Sequence, residues 1–211
     1  MTKPKQIASF VSLALLVFAS TSVESQQITS EQVDLMVTQL SNWGRWGSDD
    51  QLGTLNLVTK EKRLAASKLV EHGVSVSMAQ DLITERAVDN GNPFEHSMEV
   101  QPSDNNPWAV DRVGVRFHGL VHSHIDSLCH HHYQGKYYNN RSIADVTESG
   151  CNAGSVMTMV DGIFTRAILM DIPRLKGQEW LEPGYAVTVA DLESWEAETG
   201  LRVGSGGAVL L

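Results

Sequence analysis

His118, His122, His124, Asp126 and His130 decide what chemistry this chain can perform. Six of its eight histidines fall between positions 118 and 132. Imidazole nitrogens and a carboxylate at short spacing form the donor set of a divalent ion. A lone histidine usually serves structure, but three on alternate residues beside an aspartate are poorly explained that way. We read His122, His124 and Asp126 as metal ligands, with His122 preferred over His118, and His130 as the acid–base group. Zinc and manganese both suit mixed nitrogen and oxygen ligation. His131 and His132 follow His130 directly and cannot all face one ion, so they are placed behind the site or at the surface.

The positioning element is expected to be a strand. From 113 to 126 one parity reads Val113, Val115, Phe117, Gly119, Val121, Ser123, Ile125, and the other reads Gly114, Arg116, His118, Leu120, His122, His124, Asp126. Alternation of this kind marks a half-buried strand, because successive side chains point to opposite faces. Same-face residues on a strand stand about 6.5–7 Å apart. That spacing is wide for three ligands of one ion, so the strand is predicted to end, bend or bulge near the aspartate. A helical turn after Asp126 would place His130 on the same side.

The flanking elements follow from capping signals. Thr29 or Ser30 opens a helix to about Leu40, Thr59 opens one to about Glu71, and Thr188 opens one over Val189–Glu198 closed by Gly200. Val74 to Leu82 alternates like a strand. The stretch from Thr84 to Asp111 is polar and broken by Pro93, Pro102 and Pro107, a long excursion with room for short strands. Residues 134–140 form a turn with aromatic sides, 143–150 suit a short helix, and Gly162 to Ile172 reads as a strand. The loop from Trp43 to Asn56 is rich in Gly, Trp and Asp, with Asp49 and Asp50 as turn formers. Trp43, Trp46, Tyr137 and Tyr138 offer aromatic faces; Trp46 and Tyr138 are our candidates for substrate binding.

Bulk properties narrow the partners. The chain has 211 residues, 42% of them hydrophobic, enough for one domain with a genuine core. A net charge of −9 argues against nucleic acid, which needs clustered Lys and Arg. Lys3 and Lys5 ahead of an apolar run to Ala19, then Val23-Glu24-Ser25, resemble an export signal over 1–25. Residues 26–211 then form the mature, exported domain, with no membrane span expected after cleavage. Export permits a disulfide, but the two cysteines, Cys129 and Cys151, do not reveal pairing by spacing. The abrupt apolar end at Gly206–Leu211 suggests a fragment.

These residues resemble the cyclase-type metal hydrolases, the family of bacterial kynurenine formamidase and isatin hydrolase. That signature is a histidine, three residues, a histidine, one residue, an aspartate, three residues and a histidine. His124-Ile-Asp126-Ser-Leu-Cys-His130 matches its second half, while its first histidine falls at Leu120. Trp46-Gly-Ser-Asp-Asp50-Gln-Leu-Gly53-Thr-Leu-Asn56 resembles the entry motif of longer members, and Tyr138-Asn139 and Ile168-Leu-Met-Asp171, with Gly177 beyond, are also similar. The resemblance implies an α/β fold of the swivelling β/β/α type, a single domain with a mixed sheet. It implies a zinc or manganese ion, hydrolysis of an aromatic amide such as N-formylkynurenine or isatin, and a homodimer. The family's later histidine and glutamate have no counterpart here.

Overall fold

The computed structural model describes residues 28–102 and 105–211. The expected leader, 1–25, lies outside them. The architecture mixes helices with strands. α1 spans Ser30–Leu40, α2 Lys60–Ser67, α3 Ile172–Leu175 and α4 Val189–Thr199. Eight strands follow in chain order: β1 Glu95–Gln101, β2 Trp108–Gly114, β3 Lys136–Tyr137, β4 Arg141–Ser142, β5 Val146–Thr147, β6 Gly150–Cys151, β7 Ala167–Leu169 and β8 Ala208–Leu210. Among the described residues they pair as four two-stranded ladders, and not as the one mixed sheet expected; of these ladders β7–β8 is parallel.

The helix starts are made locally. Thr29 and Gln32 form a capping box on α1, and Thr188 and Asp191 form one on α4, each satisfying backbone N–H groups that the first turn leaves without partners. Thr59 accepts from the Lys62 N–H and starts α2. That helix stops at Ser67, short of the expected Glu71. Leu69 and Val70 beyond it are 58% and 64% exposed, so further turns would bury nothing.

Three strand expectations are corrected. Val74–Leu82 has no ladder partner among the described residues; Gln80 N instead donates to Ser123 Oγ at 2.9 Å. The strand expected over Gly162–Ile172 is only β7, because its partner β8 has three residues. The helix expected over 143–150 is a single 3-10 turn, Ile143–Asp145, followed by the β5–β6 hairpin. The excursion does contain strands: β1 and β2 pair antiparallel from Glu95↔Gly114 to Gln101↔Trp108.

The core sits at the C-terminal end. Ile168, Met170, Ile172 and Trp195 are buried together, with Leu175, Leu181, Val187 and Leu192 packed around them. Burial of each such side chain contributes about 1.5–3 kcal/mol, so this cluster fixes β7 against α4. Asp191 braces the same region. Its carboxylate accepts from Lys176 Nζ at 2.7 Å, from Tyr185 Oη and from Thr188. The Lys176 ammonium, first, and the Thr188 N–H hold the Asp191 carboxyl far below the ordinary carboxylate range. Gly206 joins this half to the site. Its φ is +74°, and a Cβ there would run into the Leu57 carbonyl, so only glycine lets the β8 approach lie against the 3-10 turn Gly53–Leu57.

Candidate metal centre

The histidine segment is not a strand. β2 ends at Gly114 because its partner β1 begins opposite it, at Glu95. Residues 115–126 then run as neither strand nor helix, bending over 119–122, with Gly119 at φ 143°, a value that favours glycine. The bends replace strand alternation and let side chains from one segment fold inward onto Asp126.

Four histidines surround that carboxylate. His118 Nδ1 lies 3.0 Å and His130 Nδ1 3.1 Å from Asp126 Oδ1. His124 Nε2 stands 3.8 Å and His131 Nε2 3.6 Å from Asp126 Oδ2. The His118 ring meets His124 and His130 edge-on, with centroids 5.2 and 4.7 Å away. Ligand atoms of His118, Asp126 and His130 all lie within 4.8 Å of one another. The hydrogen bond from His130, first, and the nearby imidazoles hold the Asp126 carboxyl below its ordinary range.

His122, the favoured first ligand, is turned elsewhere. It is buried, its Nε2 donates to the Asn92 carbonyl at 2.9 Å, and its Nδ1 has no partner among the described residues. Its backbone carbonyl still serves the site, accepting from His124 Nδ1 at 2.7 Å. That bond fixes the tautomer of His124 and leaves its Nε2 lone pair toward Asp126, the way ligating histidines are generally oriented. The residues thus fit a divalent ion: one carboxylate, several imidazoles, and one ring oriented from behind by a carbonyl. His118, ranked second by sequence, takes the place beside Asp126 because alternation cannot foresee the bends.

The aspartate-to-histidine link is a tight turn. His130 N donates to Ser127 O at 3.1 Å, which carries His130 back over Asp126. Cys129 inside the turn is fully buried and bonded to Cys151 in β6. Cys129 N also donates to the Gly154 carbonyl. This pairing is the disulfide that export permits and that spacing alone did not reveal. It ties the turn to the β5–β6 hairpin.

A second set of contacts holds the aromatic wall. Asp50 accepts from Gly53 N at 2.8 Å and turns the loop, as its type suggested. It also accepts from Asn56 Nδ2 at 2.7 Å and Tyr138 Oη at 2.8 Å. Burial, first, and the Asp50 carboxylate push the Tyr138 phenol up to about 12. Asn139 sits at φ 60°, where asparagine is tolerated better than most side chains. Its amide grips the Gly44 N–H and the carbonyls of Gly47, Ser48 and Asp50. Arg141 adds bonds to the Ser48 and Asp50 carbonyls. This clamp, across some ninety residues of chain, was invisible to short-range motif reading.

Asp126 opens into a cleft of about 710 Å³. Tyr138, Trp43 and Tyr137 line it, as do Met36 and Leu40 of α1. The Tyr138 ring thus faces the cleft while its hydroxyl is held by Asp50. Trp46 is not among the lining residues; its ring lies 4.8 Å from the Arg45 guanidinium, a cation–π contact.

Comparison with known proteins bears on this geometry. The family model described as "Putative cyclase" matches residues 33–211. A solved structure titled "Crystal structure of a novel cyclase" superposes with a TM-score of 0.71 at 28% identity, covering 80% of this chain. The match spans 60% of that protein's length. No curated protein matches the chain.

Proposed function

The chain belongs to the cyclase family, and from that premise we propose that it is a metal-dependent hydrolase of aryl formamides or cyclic aromatic amides. The observation that carries this reading is the arrangement around Asp126, with His118 at 3.0 Å and His124 locked by a backbone carbonyl. In the proposal His118, His124 and Asp126 hold a zinc or manganese ion. Such an ion, when bound, lowers the pKa of water and polarises a carbonyl.

The chain's own groups do the rest. His122 orients His124 through its carbonyl and is no longer counted as a ligand. Asp126 orients both His118 and His130. His130, with Nδ1 tied to Asp126, keeps Nε2 to accept a proton and return it to the leaving nitrogen. Trp43 and Tyr138 offer faces to an aromatic ring in the cleft. The clamp on Asp50 fixes Tyr138 before substrate arrives, so less ordering is left to binding. The proposal retains export and a homodimer; the exposed apolar side chains of the β1–β2 hairpin, Met98, Val100 and Trp108, support association.

The test is hydrolysis of N-formylkynurenine and isatin by the metal-supplemented protein and by His130→Ala. Turnover in the parent, lost in the variant with metal retained, is expected. Absence of turnover on any aryl amide, lactam or ester overturns the hydrolase reading. Loss of metal from His130→Ala contradicts the role given to that residue.

A further inference from the structure

Cys129, His130 and Cys151 also carry ligand atoms that all lie within 4.8 Å of one another. Their sulfurs are joined as a disulfide, so in the oxidised chain they ligate nothing. We propose that reduction of this bond uncovers a second site, in which the two thiolates and His130 bind a thiophilic ion such as zinc.

Three observations support it. Each cysteine is positioned by contacts that do not involve the disulfide. Cys129 N donates to Gly154 O at 3.3 Å and its sulfur lies 3.0 Å from Ser127 Oγ. Cys151 pairs with Val146 in the β5–β6 ladder, and Asn152 N donates to Asp145 O at 3.2 Å. Ligands placed in this way need little ordering when the bond opens. The donor set is also chemically distinct from the one around Asp126: thiolate selects zinc or copper(I), whereas carboxylate and imidazole accept manganese as well. Two sulfurs and one imidazole fill three corners of a zinc tetrahedron and leave the fourth for water. Access exists as well. Cys129 is fully buried, but Cys151 is half-buried and the His130 side chain is 36% exposed.

The chemistry balances with a dithiol as reductant. Two electrons and two protons pass from the dithiol to the S–S bond, giving two thiols and the oxidised, disulfide form of the reductant. Binding of the ion then displaces both thiol protons into solvent. His130 belongs to this group and to the Asp126 group, so its capture by the thiolates withdraws it from Asp126. That consequence rests on the hydrolase reading; the ion site itself does not.

The experiment titrates the whole protein, oxidised and dithiol-reduced, with cobalt(II) and then displaces cobalt with zinc. The reduced form is expected to take up about one ion more than the oxidised form, as a single structural site would. The added ion should show thiolate-to-cobalt charge-transfer absorption. Cys151→Ser should lack that signal in either state, and His130→Ala should weaken the added site at least tenfold. Equal uptake in both states, added uptake without the sulfur signal, or loss of near-ultraviolet dichroism on reduction would each overturn the proposal. Failure of the oxidised form to bind any ion removes the hydrolase reading and leaves this one standing.

Discussion

His118 Nδ1 and Asp126 Oδ1 lie 3.0 Å apart across eight residues of chain that contain no strand. The bends between them make the contact. With His122 facing Asn92, the two histidines are assigned opposite duties, and substitution separates them. His118→Ala should weaken metal binding by more than tenfold with little change in melting temperature. His122→Ala should lower stability, because the buried imidazole and its bond to the Asn92 carbonyl are lost, the bond alone contributing about 0.5–1.5 kcal/mol. Metal titration and thermal melting of both variants check this; the reverse pattern would restore His122 as the ligand.

Tyr138 and Asp50 offer a spectroscopic check. The phenol is pushed up to about 12 by burial and by the carboxylate it donates to. A tyrosine whose folded pKa is raised contributes stability that is fully present below its ordinary value of about 10 and is lost as pH rises through the folded value. Tyr138 should therefore resist ionisation in ultraviolet titration up to pH near 12, beside buried Tyr137, which burial also pushes up, and Tyr138→Phe should remove one tyrosine from the late step. The same variant should lose about 1.5–3 kcal/mol, the worth of a hydrogen bond to a charged group.

Asp191 governs acid stability. Lys176 and the Thr188 N–H depress its folded pKa, so its contribution is present above the unfolded value of about 3.9 and fades as pH falls below it. Asp191→Asn should therefore narrow the difference in stability between pH 7 and pH 3, measured by urea unfolding at each. An unchanged difference would count against the brace between Lys176 and α4.

Gly206→Ala tests the junction between the C-terminal core and the loop beside the site. The left-handed backbone alone costs a non-glycine residue about 1–2 kcal/mol. Contact with the Leu57 carbonyl adds to it. The variant should melt lower and refold more slowly than Gly204→Ala, whose added Cβ meets open space. Equal melting would show that the loop moves freely.

Much of this was legible where the deciding contact is local. Thr29, Thr59 and Thr188 cap with residues three positions on, and Asp50 turns onto Gly53, so side-chain type and spacing suffice. The donor residues of the centre were legible as a cluster. Their convergence was not, since alternation from Val113 to Asp126 reads as a straight strand, whereas the ladder ends at Gly114, opposite Glu95, the first residue of β1. The Cys129–Cys151 bond, the Asn139 grip on Gly47 and the Tyr138–Asp50 pair join distant segments, and no local pattern encodes such pairings. Trp46 was drawn into the site by its type alone; its ring lies on Arg45.

The central claim is that the Asp126 carboxylate gathers His118 and His124 around one divalent ion. Metal content of the purified, oxidised protein beside Asp126→Asn, measured by mass spectrometry after dialysis, tests it most directly. The account predicts about one zinc or manganese ion per chain in the parent and a fall to background in the variant, with the fold retained. An ion-free parent, or a variant that keeps its ion, would contradict it.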